Sequence, residues 1–179
     1  MLRSSHRFQV LVEKLIALAN ANALVEPFDL FTRNHLLTIQ NPSVGIAPLI
    51  VTAIGNNLIY VDQRLDDGRS DPGVAFFVEP KWVEMAGGWL PVGITQLFPG
   101  FYAPYVTLAA DFSRVTRCAM KQQASVASFC NGMWWGGLSE QGFTRLTAKT
   151  IRANIDVLIY SDAEVSSFVH VEGEEADRG

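Results

Sequence analysis

A chain of 179 residues, 49% hydrophobic and 18% charged, has ample apolar content for one packed domain, and a disordered polypeptide is excluded. No apolar run is long enough to span a bilayer as a helix. Two cysteines and three dispersed histidines offer neither a CxxC pair nor zinc-ligand spacing, so no metal site, disulfide or cofactor is expected.

The net charge of −4 conceals an asymmetry. Between Phe112 and Ala153 six basic residues face Glu140 alone, a local balance of +5 that leaves −9 for the rest of the chain. The N-terminal MLRSSHRFQVLVEKL has its apolar stretch interrupted by Glu13 and Lys14. It reads as an amphipathic helix and not as a signal peptide, which makes the cytoplasm the expected location.

Taken in chain order, residues 5–20 are predicted helical. Phe8, Leu11, Val12, Leu15, Ile16 and Ala19 recur on one face, with Ser4 or Ser5 as N-cap. Asn20, Asn22 and Pro27 end the helix. Five short segments rich in β-branched and aromatic residues follow: HLLTIQ, APLIVTAIG, NLIYVDQRL, GVAFFVEP and GWLPVGITQLF. Turn signals (NPS, GNN, DDGRSDPG, MAGG) separate them, which predicts an antiparallel meander over residues 34–98. Ile59, Val61 and Leu65 alternate with Tyr60, Asp62 and Arg64, so one buried and one wet face is expected.

Helical spacing returns near Asp111. Val115, Cys118, Ala119, Gln122, Val126, Phe129, Cys130 and Met133 mark one long helix over about 113–131, covering one face of the sheet. Gly132 or the Gly136-Gly137 pair is expected to stop it. On this reading Cys118 and Cys130 lie too far apart along the helix to be joined. Beyond Thr147 the chain reads either as a helix or as a helix giving way to a strand at DVLIY. The expected class is α+β: an N-terminal helix, a mainly antiparallel sheet of about five strands, a long helix packed on one face, and a less defined C-terminal element. Residues 1–165 form a single domain and 166–179 an acidic, disordered tail.

The order of landmarks from Asn34 to Phe143 resembles a family of small uncharacterised domains carried by plasmids, integrative elements and phages. The landmarks are Asn41-Pro42, Asp71-Pro72, Trp89, Pro91-Val92, Gln96, Gly100, Tyr102 and Gln141-Gly142-Phe143. The resemblance implies a mobile-element accessory role and no known chemistry. The GGWLPV stretch is also similar to the GG-aromatic-PV strands of small plasmid proteins that inhibit host responses.

Catalytic patterns are absent from the sequence. There is no GxSxG elbow and no phosphate-binding glycine loop. Cys130 has no histidine near it in sequence, although His35 can meet Cys118 or Cys130 through the fold. Asp62, Asp66, Asp67 and Asp71 read as hairpin-turn chemistry, not as a calcium loop, and no pKa shift is expected in an exposed turn.

Three functional readings remain. The first is a non-enzymatic accessory protein that binds another protein, inhibition of a bacterial defence system being one form. It rests on Trp134 and Trp135 and on the aromatics of LFPGFYAPY, namely Phe98, Phe101, Tyr102 and Tyr105, which read as a loop. Adjacent helical side chains point about 100° apart, so one tryptophan is expected in the core and the other near that loop, with the neighbouring glycines admitting another backbone. Burial of both is the competing arrangement. The second reading is a small-molecule-binding or hydrolytic enzyme with its site at the sheet–helix junction. The third is a nucleic-acid-binding factor that uses Arg145, Lys149 and Arg152 on one helical face and Arg114, Arg117 and Lys121 as a second stripe.

Overall fold

The computed structural model describes residues 2–78, 89–95, 102–104, 106–159 and 170–173. Helix α1 (His6–Asn22) opens the chain, followed by strands β1 (His35–Ile39), β2 (Leu49–Gly55), β3 (Leu58–Arg64), β4 (Ser70–Phe77) and β5 (Leu90–Thr95). Strands β6 (Tyr102–Pro104), β7 (Val106–Leu108) and β8 (Val115–Cys118) precede helix α2 (Met120–Phe129). A π-helical turn (Cys130–Trp134) links α2 to α3 (Trp135–Glu140), and β9 (Ala153–Val157) and β10 (His170–Val171) complete the order. The protein is α+β.

The meander is present, and it is larger than its five predicted strands. One sheet runs β6-β5-β4-β3-β2-β1-β9, and every neighbouring pair in it is antiparallel. Turn chemistry sets the registers. Asn56 and Asn57 both take positive φ, 54° and 60°, the twist that a tight β2–β3 hairpin requires. In the β3–β4 hairpin Gly68 has φ 83°, and its N–H donates to Leu65 O.

No wet face exists in the middle of this sheet. Ile59, Val61, Val51, Val74 and Phe76 face α1, α2 and α3 in one core. Leu58, Tyr60, Ala75, Phe77 and Val92 face the other way, into a second core with Val106, Leu108 and Val171. A second sheet, β10-β7-β8, thus covers the side that the alternation in β3 marked as solvated. That alternation signals which residues share a face, and burial of a face requires a partner layer that one strand cannot report.

Several boundaries differ from expectation. Residues 115–118 are β8, pairing with β7, so the second helix starts only at Met120. Cys118 therefore lies on a strand and Cys130 in the helical layer, and both are free thiols. Gly132, Gly136 and Gly137 do not stop the helix. It runs on to Glu140, drawn by burial of Trp134 and Leu138, and ends where Gly142 turns left-handed at φ 96°. Phe129, expected in the core, only packs against its edge, and Met133 is 77% exposed, because the π turn rotates the apolar stripe.

Three further expectations are corrected. No serine side chain caps α1; Asn131, beyond α2, accepts the Phe8 N–H at 3.2 Å and donates to Ser4 O. The 147–157 stretch is a turn followed by β9, with no helix. Tyr102–Pro104, read as loop, is strand β6, paired through Thr95↔Tyr102 and its neighbours. In the C-terminal stretch His170 and Val171 pair in parallel with Thr107 and Leu108.

Phe8 is fully buried and stacks on Phe76 at 5.5 Å and on Trp134 at 4.4 Å. It joins α1, the sheet and the π turn. Phe8→Ala is expected to cost about 3–5 kcal/mol, read as a lowered urea midpoint with unchanged slope. Conversely, a Cβ at Gly136 would meet nothing within 4 Å. Gly136→Ala is expected to raise stability by about 0.5–1 kcal/mol in the same assay.

Candidate functional site

The π turn decides where the two tryptophans go. Trp134 is 3% exposed, stacks on Phe8 and Phe129, and donates its Nε1–H to Gln63 Oε1 at 3.2 Å. Trp135, one residue on, is only partly buried and lies against α1 instead. The Arg7 guanidinium carbon sits 3.5 Å from the centre of its ring. A cation over an aromatic face at the surface contributes about 0.5–1 kcal/mol.

Around this stack lies a groove of about 420 Å³ lined by His6, Arg7, Val10, Leu11, Lys14, Trp135 and Thr144. The α1 residues recur at the three-and-four spacing of one helical face, which adjoins the buried Phe8–Leu15 stripe at Leu11. Val10 is 51% exposed, and His6, Arg7 and Lys14 are exposed beside it. The groove thus has an apolar floor and a cationic rim, with no carboxylate among the described residues that line it. This site was not legible in the sequence, where α1 served only as a core-facing helix. The exposed Val10 between Arg7 and Lys14 was the signal.

One of the two tryptophans was expected beside LFPGFYAPY, most of which lies outside the described residues; the described partner of Trp135 is Arg7 of α1. Phe98, Phe101 and Tyr105 lie outside the described residues, and Tyr102 is placed by its backbone alone. Among the described residues no other backbone approaches these glycines: a Cβ at Gly132, Gly136 or Gly137 would meet nothing within 4 Å.

The basic residues do not form the two helical stripes. Arg145 ends a short 3₁₀ turn, Lys149 lies in the following turn and Arg152 precedes β9. Arg114 precedes β8, Arg117 is on it, and Lys121 is in the first turn of α2. All six are exposed, on separate elements.

At the sheet–helix junction, polar side chains pair with one another. Gln63 donates to Gln141 Oε1 at 2.7 Å, and Asn41 donates to the same oxygen at 3.2 Å. Gln63 in turn accepts from Trp134. Pro42 closes this cluster against Gly142, where a Cβ would come within 2.9 Å of the proline ring. Two widely separated landmark pairs, Asn41-Pro42 and Gln141-Gly142, therefore meet in space. Cys130, at the start of the π turn, is buried, and burial pushes its thiol pKa up to about 12, the opposite of an activated nucleophile. His35 is on β1, the strand next to the outermost, between Ala53 and Val157.

Asp62 departs from the turn reading. Its side chain is fully buried in the second core, where it accepts from Arg64 Nε at 3.1 Å and from the Ser70 hydroxyl at 2.8 Å. Burial holds its carboxyl above the usual carboxylate range, against the opposing pull of Arg64 and Ser70. Asp67, at the exposed turn, is held low by the Arg69 N–H groups.

Comparison with known proteins yields no match: no family, no curated protein and no solved structure is similar to this chain. Among the described residues no helix is long and apolar enough to cross a membrane.

Asp62 makes stability depend on pH with a definite sign. The native state takes up its proton at higher pH than the unfolded chain, whose carboxyl titrates near 3.8. Its contribution is therefore greatest below that value and is lost as pH rises through the raised native value. Relative to Asp62→Asn, wild type should gain stability in urea melts as pH is lowered from neutrality toward about 4. A difference that does not change with pH would contradict the shift.

Proposed function

We propose that this protein works by binding another protein at the groove between α1 and α3, and that the partner presents an acidic segment with large apolar side chains. The observation that carries this reading is the Arg7–Trp135 stack, held at the surface beside half-exposed Val10. Trp and Arg are enriched among the few residues that dominate binding energy: Trp buries a large area with two torsions to freeze, and the planar Arg guanidinium stacks and presents several donors at once. The cationic rim of Arg7 and Lys14 supplies the charge complement and would steer an acidic partner at long range. The biological role we assign is that of a plasmid- or phage-borne accessory protein, as the landmark resemblance implies. Inhibition of a bacterial defence system is one form of it.

The test separates the two tryptophans. Trp135→Ala is expected to keep the wild-type melting temperature and to weaken partner binding by about 2 kcal/mol or more, roughly thirtyfold in Kd. Trp134→Ala should instead destabilise the fold. Arg7→Glu should slow association and reduce its salt dependence. A folded Trp135→Ala variant that binds the captured protein as wild type does would end this reading.

A further inference from the structure

The groove between α1 and α3 has a definite period. Arg7, Val10, Leu11 and Lys14 stand at i, i+3, i+4 and i+7, the spacing at which one helix presents a ridge to another. Exposed Ala17 and Ala21 continue the same face, so about four turns of α1 are free of bulky polar groups apart from the two cations. Glu13, the one acid of α1, is turned to the other flank, where it accepts from Gln9 at 2.9 Å.

The two cations have donors to spare. The Arg7 guanidinium is held 3.5 Å from the centre of the Trp135 ring. Among the described residues no acceptor takes an N–H of Arg7 or of Lys14. A guanidinium stacked on a ring keeps its N–H donors at its edge, preset for a carboxylate. Along the helix axis Arg7 and Lys14 are about 10.5 Å apart.

We propose that the segment bound in the groove is an acidic amphipathic helix laid along α1. This rests on the groove being the binding site. Two carboxylates seven residues apart meet Arg7 and Lys14, and large apolar side chains three and four residues after the first sit over Val10, Leu11 and Trp135. That pattern fits in either chain direction, because the apolar pair lies midway between the acids. Alanine at 17 and 21 lets the two axes close to about 8 Å, the short end of helix packing.

Two other occupants fit less well. In an extended segment side chains alternate, so carboxylates on one face are about 6.6 Å or about 13 Å apart, and neither equals the cation spacing. Its amides would also lie against helices whose own backbone is already paired, whereas a helix brings its hydrogen bonds with it. A second copy of α1 sets Arg7 against Lys14 when antiparallel and against Arg7 when parallel, like charges in both cases.

Synthetic peptides of about sixteen residues, long enough to be helical once docked, test this. The probe carries glutamates seven residues apart and leucines three and four residues after the first, in an alanine and glutamine background. Titrated with the full chain, it should bind, gain helical circular dichroism and lose affinity with salt. Moving the second glutamate on by one residue should weaken binding about tenfold, and a central proline should abolish it. Lys14→Glu, at an exposed side chain, should weaken the probe about tenfold with unchanged melting temperature. A lysine in place of one probe glutamate should restore binding to that variant and so report the direction of the helix. A probe that does not bind wild type overturns the helical partner, and Trp135→Ala with the captured protein then still decides the groove. If wild type holds the proline peptide as well as the probe and Trp135→Ala loses both, the groove stands and the helix falls. If Trp135→Ala holds the probe unchanged, the groove is not its seat and both fall.

Discussion

Trp134 is the point on which the helical layer is hung. Its ring stacks on Phe8 of α1, and its indole N–H reaches Gln63 in the middle of the sheet. One side chain therefore ties both helical segments to β3. The geometry depends on the π turn at Cys130–Trp134, which inserts one residue into the helical ladder and turns Trp134 inward. The same turn leaves Trp135 on the outside, against Arg7. Core and candidate binding surface are thus two consequences of one backbone irregularity.

Around that anchor, amide side chains do what regular secondary structure cannot. Gln9 accepts the Trp89 N–H, Gln123 pairs with both backbone groups of Arg3, and Asn131 takes the free N–H of Phe8. Each supplies a partner to backbone left over at the end of an element, where an unpaired buried group would cost about 1–3 kcal/mol. Gln63, Gln141 and Asn41 form a comparable cluster at the other end of α3. Because these groups are neutral, they can be buried without the desolvation cost of ions. Asp62 is the exception, and its raised pKa records that cost.

The sheet is asymmetric in how its two ends are finished. At the β6 end the chain continues directly into β7 of the covering sheet. At the β9 end, among the described residues, nothing pairs with the outer side of the strand. The seven strands bury both central faces, so what the fold leaves over for contact is peripheral: one helix face with a tryptophan.

The amino-acid sequence by itself determined α1, the five-strand meander and its turns. These are local: helical spacing from Phe8 to Ala19, alternation within six or seven residues, and Asn-Asn or Asp-Asp-Gly turns whose dihedrals few other residues tolerate. It also determined that consecutive tryptophans must diverge. Tertiary structure alone decided which one is buried, because that follows from a π turn stabilised by contacts with Phe8 and Gln63, both remote in sequence. It decided that 115–118 is a strand, since β7 is there to pair with it, although the same residues carry a helical period. It decided that Gly136 and Gly137 continue a helix, because burial of Trp134 and Leu138 outweighs their poor propensity. And it decided that Asp62 is buried, because a second sheet lies over a face that alternation could describe only as the opposite one.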